Sequence, residues 1–569
     1  MKKVLLMSLL LLASIGAMQA KVWYVKLNGT SAWANKPVDD VLAIDADQFV
    51  GQLANNTNYS GDTLWVAGGT YQLKDIFVMK ANQVLMGGFA GTENKHTDRA
   101  RSDRDGNGMV EPWEFTNETI LEPAAEMLAR ETGNMRAIVQ NANSTNTAVD
   151  GLTFQNFHHR DGNTPIIFVN NDKAEFKNSV LRNSSMELDG GYIVGIIRPS
   201  AGKMSGILVE YCYAKQTGTG GVNGIFTVEN KAVISESVVR GCSVTGEPNY
   251  AAAGGGFYVK SNNANGAATL INCVAHNNYA SGAGGGIIMA FANDKVINST
   301  VTKNVAGNNN GAGIAMLKGG SLYNTVAWGN RGKDGPSEDI AFMEAGANVY
   351  NVNNIAGKQR LNGTGWNSDT PQGDGQHFPG FQRWVTITQN DDGSDPNNIT
   401  NKDGSDPYQY APHFTKPSAF AGLSALARDG SLPTAEDKES ITKANWSLRD
   451  NSPLIDRGSF MYVDVEADLL GRVREYGMDV DLGAYEYDPT ASSGVNLVPS
   501  ISFKTAIINS CIEISGIDGN FSAEMFDIAG KHVVAKQASG NISIELQNKG
   551  IFLLRITTAN GSGATKVIF

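Results

Sequence analysis

The sequence predicts an all-β chain built mainly as a parallel β-helix, and three observations point there. Gly and Asn are in excess, at 64 and 54 of 569 residues. Both tolerate left-handed backbone, so the chain turns often. A short segment with a polar centre between apolar flanks recurs through the middle of the chain at about 26-residue spacing, which is the mark of stacked units. Beyond residue 500 the chain alternates apolar and polar residues as short strands.

Length and charge narrow the function classes. At 569 residues the chain needs several domains or one long repeat array. Net charge is 46 − 57 = −11, with 18% charged and 41% hydrophobic residues. That is too apolar for disorder and too acidic for a phosphate-binding surface, so no nucleic-acid partner is expected. Cys212, Cys242, Cys273 and Cys511 are too few and scattered for a disulfide framework and read as free buried thiols.

Residues 1–20 read as a secretory signal. Lys2 and Lys3 precede an aliphatic run at 4–12, and small residues follow, with cleavage after Ala20. The run is shorter than the ~20 residues a spanning helix needs, and no other stretch qualifies. The chain is expected to be exported and not membrane-spanning.

The repeat aligns Phe176-Lys-Asn178-Ser-Val180 with Leu208-Val-Glu210-Tyr-Cys212, Ile234-Ser-Glu236-Ser-Val238 and Leu270-Ile-Asn272-Cys-Val274. Val296-Ile-Asn298-Ser-Thr300, Leu322-Tyr-Asn324-Thr-Val326 and Val349-Tyr-Asn351-Val-Asn353 continue it. A weaker first copy is centred on Asp150. Asn156, Asn278, Asn304 and Asn330 fall six residues past the centres, where stacked amides can form a ladder. Further on come glycine clusters entering apolar strands, at Gly190-Gly191, Gly254-Gly255-Gly256, Gly284-Gly285-Gly286 and Gly311-Ala312-Gly313. Each unit is two or three short strands that cannot bury an apolar face alone, so stacking must supply the core. A β-sandwich would give no reason for identity within these columns.

These glycine-aliphatic and N-[ST]-x-V units resemble the right-handed β-helix repeats of secreted bacterial proteins, including those related to polymorphic outer-membrane proteins. The front resembles that family too, in Trp23-Tyr24-Val25, Gly61-Asp62-Thr63-Leu64-Trp65 and Gly87-Gly88-Phe89-Ala90-Gly91. The resemblance implies that a short helix at 45–56 caps the open end, where bare strand edges would invite aggregation. At the far end, Ser452-Pro453-Leu454-Ile455-Asp456-Arg457-Gly458, then Asp464, Asp468, Gly471, Arg472 and Arg474, then Val480-Asp481-Leu482-Gly483-Ala484-Tyr485-Glu486 resemble the SPxIDxG…DxxGxxR…VDxGAxE segment that closes many such helices. The expected organisation is a cap with first coils at 21–125, repeat coils at 126–356 and a loop-rich closing region at 357–488.

A linker at 489–500 leads to residues 501–569. There Ile528-Ala-Gly530-Lys531, Lys549-Gly550-Ile551-Phe552-Leu553 and the terminal Lys566-Val567-Ile568-Phe569 resemble a type IX secretion sorting domain. The resemblance implies a small β-sandwich read by the outer-membrane secretion machinery, usually cleaved, with the cargo released or attached to the cell surface. A generic carbohydrate-binding sandwich is the plainer alternative.

One motif carries metal chemistry. Asp103-Arg-Asp105-Gly-Asn107-Gly108-Met109-Val-Glu111-Pro-Trp-Glu114 fits D-x-[DN]-x-[DN]-G-x5-E. Asp103, Asp105, Asn107, the Met109 carbonyl and Glu114 would offer Ca2+ the hard oxygens it takes, in a structural role. Asp391, Asp392, Asp395, Asp403 and Asp406 form a second acidic stretch that reads as solvated turns.

Catalytic signals are sparse. The alignment places Glu210 and Glu236 in one column of adjacent coils, close enough to share a proton or act as a glycosidase pair. Arg182, Arg240 and His276 share a column four residues on, with Lys215 and Lys303 beside it. His158-His159-Arg160-Asp161 reads as a loop cluster and Trp328 as a candidate sugar platform. The polygalacturonase pattern of paired aspartates with Arg-x-Lys is absent. The expectation is an exported, surface-attached or released protein that binds glycans or surface partners without catalysis. The alternative is a polysaccharide lyase or glycoside hydrolase working through Glu210, Glu236, Arg182 and Arg240.

Overall fold

Two left-handed residues five positions apart shape each coil. Gly151 and Asn156, Asn178 and Asn183, Gly206 and Tyr211, Glu236 and Gly241, Asn272 and Asn277, Asn298 and Lys303, and Asn324 and Gly329 all have positive φ. The computed structural model describes residues 20–360, 412–489 and 504–568, each with short gaps, together with 386–387 and 399–400. Between the bends run short strands that pair in parallel with the coils on either side. The result is a right-handed parallel β-helix of about seven turns over residues 119–341.

Three sheets wrap one core. The longest runs from Val22–Leu27 to Ile355–Ala356, a second from Phe77–Val78 to Gln359–Arg360, and a third from His158–Arg160 to Arg331–Gly332. Registration is strict: Phe154, Leu181, Val209, Val239, Ala275, Val301 and Ala327 stand opposite one another coil after coil. All seven are buried in the same core, because alternation along a strand turns every second side chain inward. At the first end, Phe49, Val50 and Leu53 lie in that core too, with Phe49 against the rings of Tyr71 and Phe77. A 3-10 turn, Ala46–Gln48, and a π-helical turn, Val50–Ala54, stand where the sequence suggests an amphipathic helix.

The observed register corrects the aligned columns. Lys177 pairs with Ser205 and Ser179 with Ile207, which sets Asn178 opposite Gly206. Ser205 in turn pairs with Ser235, which sets Gly206 opposite Glu236. Glu210 therefore lies four residues beyond the bend and not in the Glu236 column. The bend selects for left-handed backbone, which Gly satisfies without any polar side chain, so Gly206 is invisible to an alignment that seeks Asn or Glu. For the same reason the first bend is Gly151 rather than Asp150. Asn351 stands opposite Leu322, two residues before its aligned place. The glycine column likewise runs through Gly195 and Gly224 to Gly254, Gly284 and Gly311. Gly191 opens a strand of a separate small sheet, and Gly190 is the bend before it.

The amide ladder forms over three coils. Asn278 Nδ2 donates to the Val239 carbonyl (2.9 Å) and to Asn304 Oδ1 (3.1 Å). Asn304 repeats this with the Ala275 carbonyl and Asn330, and Asn330 with the Val301 carbonyl and Asp339. Each Oδ1 also accepts the main-chain N–H of the previous coil. Phe157 holds that corner in the first coil, and Asn156 is the adjacent left-handed residue.

The outer side of the long sheet is also apolar. Val180, Leu208, Val238, Val274 and Val326 share a second core with Phe414, Trp446, Leu448, Leu454, Leu469, Leu482 and Tyr485. The chain thus returns over its own coils at 412–487. Left-handed turn residues anchor it: Asn272 Nδ2 donates to the Ala467 carbonyl (2.7 Å), Asn277 Nδ2 to that of Phe420 (2.9 Å) and Asn324 Nδ2 to that of Ser459 (3.0 Å).

The chain divides into two compact units between Tyr487 and Asp488. In the second, a sheet of Lys504–Ile508, Cys511–Ser515 and Ile542–Glu545 and another of Asn520–Asp527, His532–Ser539, Ile551–Thr558 and Gly561–Ile568 are both antiparallel. Ile512, Ile514 and Ile544 share a core with Phe521, Met525, Leu554 and Ile556. No described helix is long and apolar enough to cross a membrane.

Replacing Asn304 by Ala strands buried donors and acceptors on both neighbouring coils. Denaturant unfolding should show a loss of about 2–4 kcal/mol. A loss below about 0.5 kcal/mol would mean that the main-chain ladders hold the corner unaided.

Candidate functional site

Arg182, Glu210, Arg240, His276, Thr302 and Trp328 stand in one register column on the outer side of the long sheet. The basic column seen in the sequence is present, with Glu210 inserted between its two arginines. Arg240 donates from Nε and Nη2 to Glu210 Oε2 (3.0 and 2.8 Å) and from Nη1 to Asp105 Oδ2 (2.9 Å) and the Thr442 carbonyl (3.3 Å). Its side chain is 3% exposed. Burial opposes its charge, but Glu210 and Asp105 outweigh that and drive the guanidinium well above its ordinary pKa. A buried charge is sustained only by such pairing.

The other candidates separate from this pair. Arg182 reaches back to Glu118 (3.1 Å) and Gln155 (3.0 Å). Against burial, Arg104 and Arg182 together hold Glu118 below the usual carboxylate range. Glu236 is itself a bend residue, accepts from the Ser235 hydroxyl, and is raised by burial. Glu210 and Glu236 therefore form no carboxylate pair. His276 is 2% exposed, shares a hydrogen bond with Asn277 and packs edge-on against Trp446 (5.2 Å). Burial holds its pKa at about 3, so it is a neutral packing group. Trp328 packs against the second core. His158 meets the Ser185 hydroxyl (2.9 Å), His159 is buried and Arg160 is exposed, so alternation divides that cluster between two faces. Cys212, Cys242 and Cys273 are buried free thiols and Cys511 is half-buried. Asp161, Asp391, Asp392, Asp395, Asp403, Asp406 and Asp464 lie outside the described residues.

The 103–114 loop rests on Arg240. Asp103 accepts main-chain N–H groups of Gly106, Asn107 and Gly108, and Asp105 that of Asn107. Asn107 Oδ1 accepts from Met109 N, while Glu114 accepts from Arg104 N, Asp105 N and Glu111 N. One carboxylate oxygen each from Asp103, Asp105 and Glu114 lies within 4.8 Å of the others, a spacing that could hold a cation. Burial raises the pKa of Asp105 and of Glu114. Met109 and Trp113 instead point into the second core. Glu111, which the motif leaves unspecified, is 2% exposed, and its Oε1 accepts from Asn107 Nδ2 (3.1 Å). Burial first, and then the Asp105 charge, push it well above the usual carboxylate range. Its place in the alternating series 103, 105, 107, 109, 111 is the signal that singles it out.

The closing motif acts as a clasp. Asp468 accepts from Leu470 N, Arg472 N, Arg472 Nε and Glu486 N, and Asp481 accepts from Asp456 N and Tyr487 N. Arg474, 1% exposed, bridges Asn272 of the coil, the Gly483 carbonyl and Glu486. Burial raises Asp481 to about 6, and burial with the Asp481 charge raises Glu486 to about 8. No family model matches the chain, and no curated protein matches it.

The clasp makes stability pH-dependent. Glu486 binds a proton in the folded state between its ordinary 4.5 and about 8, so its contribution is full below 4.5 and lost as pH rises through 8. His276 acts oppositely, its contribution being full above 6.5 and lost as pH falls towards about 3. Thermal midpoints should fall between pH 6.5 and 8.5, and Glu486→Gln should flatten that fall. An unchanged slope in the variant would show that Glu486 ionises freely.

Proposed function

We propose that the chain is an exported, non-catalytic β-helix protein of the bacterial cell surface that binds glycans or surface partners. One observation carries the reading. The outer face of the long sheet, where stacked carboxylates and bases would act on a polysaccharide, is occupied by the chain's own residues 412–487. Glu210 and Arg240 are spent on each other beneath Thr442–Trp446, and Glu236 stands apart from them. A carboxylate already held by a buried guanidinium is a poor proton donor or nucleophile.

The route to the surface rests on both ends of the sequence. Residues 1–20 carry the pattern of a cleaved leader, although only Ala20 of them lies among the described residues. Residues 501–569 would engage the type IX machinery of the outer membrane. The antiparallel pairing of Ile551–Thr558 with Gly561–Ile568 supports such a module. Phe49, Val50 and Leu53 would cap the first coil. Side faces and corners would then meet the ligand, among them Tyr192 at 60% exposure.

The full chain, incubated with a panel of acidic and neutral polysaccharides, should yield no new reducing ends and no unsaturated-sugar absorbance. It should be retained on at least one polymer or on the producing cell's surface. Product formation abolished by Glu210→Gln or Glu236→Gln would instead establish a lyase or hydrolase.

A further inference from the structure

We propose that residues 103–114 form a calcium site completed by Glu111, and that the bound ion latches the covering segment onto the coils. Asp103, Asp105 and Glu114 already place three carboxylate oxygens within 4.8 Å of one another. Asn107 and the Met109 carbonyl follow at the alternating positions of the same loop. The independent observation is Glu111. It is 2% exposed, one oxygen is held by the Asn107 amide, and the other, Oε2, has no hydrogen-bond partner. A buried carboxyl oxygen left without a partner is costly, and a cation held by the neighbouring loop oxygens would supply the missing one.

Charge and donor type select the ion. Asp103, Asp105, Glu111 and Glu114 bring four carboxyl groups, and the guanidinium that reaches Asp105, Arg240, is shared with Glu210. The donors are all oxygen, which disfavours zinc. Their number and the irregular loop suit Ca2+, with six to eight oxygens, better than Mg2+, which keeps an octahedron rich in water.

The loop touches both bodies that the latch would join. Arg240 ties Asp105 to the coil and to the Thr442 carbonyl. Asn445 Nδ2 donates to the Asn107 carbonyl (3.0 Å), and Met109 and Trp113 share the second core with Phe414 and Trp446. An ion that fixes the loop therefore fixes the partner of residues 442–446. None of this depends on the ligand proposed above.

The test uses the full chain, stripped with a chelator, and Tb3+ as the probe, since Trp113 lies within the loop and can sensitise its luminescence. Tb3+ emission should appear and be displaced by Ca2+. Glu111→Gln should weaken Ca2+ binding at least tenfold, as should Asp103→Asn, whose exposed side chain spares folding. Ca2+ should also slow proteolysis within 412–487 in the parent chain and not in Asp103→Asn. Absence of emission from the folded parent chain would overturn the site. Unchanged affinity in Glu111→Gln would remove Glu111 from it, and proteolysis indifferent to Ca2+ would overturn the latch.

Discussion

Val180, Leu208, Val238, Val274 and Val326 stack on the outer side of the long sheet, where a solenoid would ordinarily meet water. Leaving such side chains exposed forfeits about 1.5–3 kcal/mol each. Much of the remaining architecture answers that row. The chain turns back at 412–487 to cover it with Trp446, Leu454, Leu469 and Leu482, and the loop at 103–114 adds Met109 and Trp113. The polar column beside the row is buried by the same cover, so Arg240, Glu210 and Asp105 must satisfy one another. Function is thereby displaced from the face that first attracts attention to the corners and sides.

The bends serve both layers. A left-handed Asn costs less than most residues at positive φ, and its side chain is then free to hold the covering segment. Asn272, Asn277 and Asn324 do so. The coil period and the cover are thus coupled through the same residues, as are the amide ladder at Asn278–Asn304–Asn330 and the close glycine corners. At Gly285, for example, a Cβ would stand 2.5 Å from the Val305 carbonyl oxygen of the next coil.

The parallel β-helix was legible because stacking demands like residues at like places, and the regular 26-residue coils around Asn272, Asn298 and Asn324 display that plainly. Register was less legible wherever glycine took the bend. Gly206 hid one coil's true centre and lent Glu210 a false place beside Glu236. The loop motif was legible as a set of oxygen donors, but its contact with Arg240 joins residues 135 positions apart and has no local signature. The SPxIDxG…VDxGAxE segment reads in the sequence as an ending, whereas the structure lays it along the outer side of the coils at Asn272, Thr300 and Asn324. Its role as a buried clasp through Arg474, Asp468 and Glu486 emerges only from tertiary packing.

Hydroxyl-radical footprinting of the native full chain would test the self-covered face most directly. Trp446 is 1% exposed and Tyr192 60%, so the two side chains calibrate one another in a single experiment. The account predicts rapid modification of Tyr192 and strong protection of Trp446 until the chain unfolds. Modification of Trp446 at the intrinsic rate of a free tryptophan would contradict it, and would reopen the long sheet as a groove for substrate.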